Sequence, residues 1–171
     1  MLTERATWLH EAILGQFHTA VGRFPPSHAP FTTGDSDEQG LRLGEHLVRL
    51  GYLAPRQLTA ALHTARKQPL RQSPGLFGCT LVAQDLVPAQ IVSAVLLMQF
   101  LDRFDSDPAH AARFLGEELL VQERLGPDQL ATVIEEQLEG YQKGTWVRLG
   151  DLIVHHGWLK PEAIAAAIQQ R

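Results

Sequence analysis

The sequence predicts an all-α fold: two pairs of short helix-turn-helix repeats gathered into a compact helical bundle behind an N-terminal amphipathic helix. Three observations lead there. One segment is written four times: RLGEHLVRLGYLAPRQLTAAL from Arg42, LFGCTLVAQDLVPAQIVSAVL from Leu76, FLGEELLVQERLGPDQLATVI from Phe114 and RLGDLIVHHGWLKPEAIAAAI from Arg148. Apolar residues within each copy recur at helical spacing. No run reads as a strand, Thr145 to Arg148 being too short. Four copies in register constrain the architecture, because a unit this small must bury its apolar face against its neighbours.

The N-terminal helix is predicted over Thr3 to Phe24. Leu9, Ile13, Phe17, Ala20, Val21 and Phe24 share one face, with Trp8 at its flank. It can cap the repeat stack, lie on a partner or swap onto a second copy, and capping is the ordinary role for such a helix. Residues 1–24 therefore form one segment, and the Pro- and Gly-rich stretch over residues 25–41 a linker.

The conserved place of one glycine within the copies, at Gly44, Gly78, Gly116 and Gly150, gives spacings of 34, 38 and 34. Alternate copies are thus offset by 72 residues, which divides the repeats into a first pair at 42–101 and a second at 113–171, with a connector at 102–112. In each copy a short helix comes first; Leu43, Leu47 and Leu50 lie on one face of it in copy one. Gly51 and Gly157 then fall where a helix ends in a left-handed residue. Asp85 and Glu123 hold that place in the middle copies, and since Glu takes that conformation poorly, those turns are expected to differ. Pro55, Pro127 and Pro161 open the second helix, where the missing N–H costs nothing, and Pro88 lies one place earlier in its copy. The helix from Ala89 to Leu101 is apolar nearly all round and is expected to be the most buried. Further breaks are expected at Arg66–Pro74, Asp105–Pro108 and Gly140–Gly144, with Asp107 capping a helix that runs into copy three.

A glycine inside a helix costs about 1 kcal/mol relative to alanine. Its return in all four copies means that something approaches the backbone closely there, either another helix or a ligand.

Composition narrows function by exclusion. A net charge of −4 offers no footprint for a nucleic-acid backbone, so neither DNA nor RNA is an expected partner. The single cysteine, Cys79, reads as a small buried apolar residue in a reducing compartment. The N-terminus mixes charge into its apolar residues, unlike a signal peptide, and the apolar run Ile91 to Leu101 is too short to span a bilayer. A cytoplasmic protein without membrane insertion is expected. Phosphate loops of the GxxxxGK[ST] kind, GxSxG, HExxH and zinc spacings are all lacking from the sequence. Glu117-Glu118 and Glu135-Glu136 read as solvated faces, and the neighbouring His155 and His156 point too far apart on a helix to share a metal. The chain is expected to be neither an enzyme nor a holder of a metal or cofactor. Tetratricopeptide repeats have a similar period, but the first helix here is too short and their Trp/Tyr/Ala pattern is missing. A helix-turn-helix DNA reader would need a basic second helix.

The pattern RLGxxLxxxGxLxPxxLxxAL, with Arg42, Leu43, Gly44, Leu47, Gly51, Leu53, Leu58 and Leu62 in copy one, resembles the N-terminal domain of type II secretion and type IV pilus assembly ATPases, the MshEN-like or GspE N-terminal repeat. Copy four matches as closely, in Arg148, Leu149, Gly150, Ile153, Gly157, Leu159, Ile164 and Ile168; the resemblance covers about residues 42–171. It implies a non-catalytic module that docks on a protein of a secretion or pilus machine, or one that binds cyclic di-GMP over the repeats. Self-association through the N-terminal helix is a third possibility for partnership. Ligand-binding members of that family start the motif with Arg and place a Gln three residues after its last Leu. Here copy one has Arg42 but Ala65, copy four has Arg148 but Arg171, and the middle copies have Gln99 and Gln137 but Leu76 and Phe114. The candidate ligand residues on this resemblance are Arg42, Leu43, Gly44, Leu58, Leu62, Gln99, Gln137, Arg148, Leu149, Gly150 and Arg171. Arg would offer a planar fork to phosphate or guanine, Gly a close backbone approach, Leu an apolar bed and Gln amide hydrogen bonds.

Overall fold

A computed structural model describes residues 2–30, 42–67 and 77–170. The expected break at Arg66–Pro74 falls largely outside these, as do Leu76, Arg171 and the linker beyond residue 30. The described residues form nine helices and no strand: α1 (Leu2–Arg23), α2 (Leu43–Arg49), α3 (Pro55–Lys67), α4 (Phe77–Ala83), α5 (Ala89–Ser106), α6 (Leu115–Val121), α7 (Pro127–Gln142), α8 (Leu149–His155) and α9 (Pro161–Gln169). None of them is long and apolar enough to cross a membrane.

Each copy is a seven-residue helix followed by a longer one. The turn between them closes in the same way each time. Tyr52 N–H donates to Leu47 O at 2.9 Å, Leu86 N–H to Leu81 O at 3.0 Å, Arg124 N–H to Leu119 O at 2.9 Å and Trp158 N–H to Ile153 O at 3.3 Å. This six-residue closure needs a left-handed residue before the donor. Gly51 (φ 82) and Gly157 (φ 73) supply it, but so do Asp85 (φ 54) and Glu123 (φ 57). The four turns therefore do not differ as their residue types suggest. A left-handed Glu costs roughly 1–2 kcal/mol, which the turn's backbone bonds offset, and Arg5 meets Glu123 in an ion pair of 3.3 Å. Pro55, Pro127 and Pro161 are the first residues of their helices and Pro88 caps α5 from outside. Gln57 and Gln129 bend back to accept the N–H of Ala54 and Gly126, each at 2.8 Å.

The pairs are built alike. In the first, α2 lies on α5 and α3 on α4; in the second, α6 lies on α9 and α7 on α8. The pairs join where α7 packs on both α4 and α5. Helix α5 is the most buried, with ten residues out of solvent from Ala89 to Phe104. It runs on to Ser106, so residues 102–106 belong to it and not to a connector. Asp107 opens no helix. It accepts the N–H of Ala109 at 3.2 Å in a turn, and α6 starts only at Leu115. Helix α7 likewise passes through Gly140 and ends at Gln142.

Helix α1 is no end cap. It packs along α5 and on α7, with Leu9 and Ile13 fully buried. Its first half joins a core made by the end of α5 and the second pair; its second half, Phe17 to Phe24, lies on a core made by the first pair. Both cores draw on α5 and α7, and Ile134 touches both. Tyr52 donates to Phe24 O at 2.6 Å, and His28 N–H to Gly51 O at 2.9 Å, so the chain leaving α1 is laid on copy one. A Cβ at Gly51 would collide with the His28 carbonyl.

Removing one α1 anchor should weaken both cores together. Leu9→Ala is expected to cost about 2–5 kcal/mol, with one cooperative transition retained in urea unfolding followed by Trp fluorescence and by circular dichroism.

Candidate functional site

The repeat glycines show what approaches the backbone. At Gly44 a Cβ would overlap Leu58 Cδ1, with Phe77 Cε1 3.1 Å away; at Gly116 it would overlap Leu130 Cδ1, with Leu149 Cδ2 at 3.0 Å. At Gly78 it would lie 2.7 Å from Val92 Cγ1 and 3.5 Å from Leu43 Cδ2, and at Gly150 3.0 Å from Ile164 Cγ2. In every copy the neighbour is an apolar side chain of the copy's own second helix. A residue from the partner copy of the same pair flanks it. The glycine lets two helices close on each other.

The candidate residues fall into two groups. Leu43, Gly44 and Leu58 take part in the packing of the first pair, and Leu149 and Gly150 in that of the second. Arg42 and Arg148 are exposed, each at the start of its short helix. Helix α2 packs on α3, α4 and α5, whereas α8 packs on α6, α7 and α9, so the two arginines belong to separate assemblies. Leu62 is exposed and Gln99 half-buried. Gln137 is buried, and its amide donates to Val147 O at 2.9 Å, which places it beside the chain entering Arg148. Arg171 lies outside the described residues.

The described residues form several surface hollows, of which three bear on the argument. One of about 420 Å³ opens between α8 and α9, lined by Gly150, Asp151, Val154, His155, Pro161 and Ile164. A second, of about 730 Å³, lies where Trp8 and Arg5 face Arg124 and Gln129. The third, of about 580 Å³, runs between α1, α5 and α7 and contains Arg23, Ser93, Asp128 and Glu135. No three His, Cys, Asp or Glu side chains gather as a metal would require among the described residues. Cys79 is fully buried, and burial pushes its thiol up to about 11, so it is no nucleophile.

The acidic pairs are not simply solvated faces: of their four residues Glu117 is buried and the others are half-buried. Glu117 is buried, receives Arg103 Nη2 at 2.6 Å and accepts the N–H of Arg113 at 2.7 Å; Arg103 also donates to Ala111 O. This knot fastens the chain between α5 and α6. Glu135 accepts from Ser93 Oγ at 2.9 Å, and Glu136 lies 2.9 Å from His156 Nε2, whose ring stacks on Trp158 at 4.3 Å. Nothing local announces these partners, which are 14 to 42 residues away. Burial raises the Glu135 carboxyl above its ordinary range; Ser93 and Arg23 oppose that, while Glu139 and Glu136 add to it.

Two outcomes follow. Leu130 is buried, whereas Leu58 is half-exposed and so has room to yield on its solvent side. Gly116→Ala should therefore cost about 1–3 kcal/mol by overpacking, while in Gly44→Ala the gain in helix propensity, about 1 kcal/mol, should offset much of the strain; denaturant midpoints measure both. For Glu135 the folded value lies above the unfolded one, so ionisation opposes folding. That penalty is present at neutral pH and relieved as pH falls through the raised value. Glu135→Gln should raise Tm at pH 7, and the gain should vanish below about pH 4, where the unfolded carboxyl is also protonated.

Compared with known proteins, the chain matches no family model, no curated protein and no solved structure.

Proposed function

We propose that this chain is a non-catalytic interaction module that docks on a protein component of a secretion or pilus machine, as its resemblance to the assembly-ATPase N-terminal domains implies. The observation that supports this over a ligand-binding role is the closure of the repeat glycines. At Gly44, Gly78 and Gly116 the backbone that a dinucleotide would have to approach is buried under Leu58, Val92 and Leu130. The two arginines belong to different pairs, and Gln137 already serves the Val147 carbonyl. What the chain presents outward instead is apolar side chains: Trp8 on α1, and Leu62, Phe114 and Ile168 in the repeats, are exposed.

A cyclic di-GMP receptor is the second reading, favoured by two features. Gln137 of copy three lies against the residue before Arg148 of copy four, and Gly150 borders an open hollow. Calorimetric titration with cyclic di-GMP, with GTP and ATP as controls, separates the readings. The docking role predicts no heat with any of them, together with binding to a purified cytoplasmic component of the machine in biolayer interferometry. Ile168→Asp or Leu62→Asp should weaken that binding at least about tenfold, the scale of losing a buried interface anchor. Micromolar cyclic di-GMP binding that Arg148→Ala abolishes would replace docking with the receptor reading.

A further inference from the structure

We propose that the chain joins head to tail with a second copy of itself, α3 of one molecule seating in the open hollow between α8 and α9 of the next. The inference deepens the interaction-module reading by naming one partner of that surface.

The junction between the two pairs inside the chain is the template. There the face of copy two, Gly78, Cys79 and Val82, is closed by α7, with Leu138 Cδ2 3.6 Å from where a Gly78 Cβ would be. The 72-residue offset carries this face onto copy four as Gly150, Asp151 and Val154. Those residues line an open hollow. The same offset, taken the other way, carries α7 onto α3. Repeating the internal junction once more would place α3 of a second molecule on copy four.

The faces that would meet are exposed in both helices. Ile134 of α7 corresponds to Leu62 of α3, yet Ile134 packs against both cores and Leu62 is 38% exposed. On the other side Leu96 of α5 corresponds to Ile168 of α9; Leu96 lies on a core and Ile168 is 54% exposed. His63, Arg66 and Lys67, which correspond to Glu135, Leu138 and Glu139, are exposed as well.

Charge is complementary at matching positions. Within the chain Gln90 donates to Glu139 at 3.1 Å across the junction. The corresponding residues are Glu162 on α9 and Lys67 on α3, an acid facing a base. Cys79 and Leu138, both in the same core, become Asp151 and Arg66, again of opposite sign. Helix α3 carries Arg56, Arg66 and Lys67 and no acidic residue. The polar and apolar partners of the internal junction are thus replaced between molecules by residues of opposite charge, as suits an interface that must also be soluble when apart. The two surfaces differ, so the contact is heterologous and propagates into a ring or a filament.

Sedimentation velocity across the micromolar to submillimolar range tests it. The full chain should form dimers and longer species that raised salt weakens. Lys67→Glu and Glu162→Lys should each weaken association at least about tenfold. Each variant alone sets like charges against each other, whereas the two variants mixed should associate and extend in alternation, since both of their mutual contacts pair an acid with a base, and both changes in one chain should also restore extension. Both side chains are exposed, and an unchanged thermal melt shows that neither variant acts through folding. A chain that stays monomeric throughout, or whose association ignores both reversals, overturns the proposal. A monomeric chain that still binds the machine component leaves the docking role standing and removes only this interface; loss of component binding alone does the reverse.

Discussion

The packing of α7 onto α4 and α5 sets the position of every other element. Two seven-residue helices and two longer ones make each pair, and such a unit buries too little apolar surface to stand alone. Helix α7 closes copy two and in doing so gives the second pair a place on the first. The seam that results is then covered by α1, whose two halves serve the two cores. The polar pairs Ser93–Glu135 and Gln90–Glu139 lie along the same α5–α7 contact and fix its register.

Position in the array decides what each copy does with one shared pattern. The middle copies give their second helices, α5 and α7, to the centre, and their glycine faces are buried. The outer copies hold α3 and α9 at the edges, where the same apolar positions meet solvent. A terminal repeat normally answers that exposure with polar residues. Here Asp151, Glu162, Arg66 and Lys67 appear where the middle copies have Cys79, Gln90, Leu138 and Glu139, yet Leu62 and Ile168 remain. Surfaces of that mixed kind are suited to docking.

Much of the fold was legible in residues whose effect is local. The helix-opening prolines, the left-handed Gly51 and Gly157, the all-round apolar α5 and the apolar face of α1 each follow from backbone sterics or helical period. Asp85 and Glu123 misled because the turn is imposed by its closing hydrogen bonds, which a neighbour can help to stabilise against residue preference. Asp107 misled because a capping residue with no apolar stripe after it makes a turn. Glu117 and Glu135 looked solvated because Arg103 and Ser93 reach them only through tertiary packing. At the repeat glycines the sequence called for close approach by another helix or a ligand, and the side chains found there belong to helices.

The sequence by itself determined an all-helical chain of four units in two pairs, since period, proline position and glycine position act within a few residues. Only the tertiary structure decided that α1 is a central helix, that the glycines receive leucine, valine and isoleucine side chains from their own copies, and that copy four is left open. Those outcomes depend on which apolar faces meet. Several faces of this chain have similar hydrophobicity, and their shape and register, rather than their composition, select the partner.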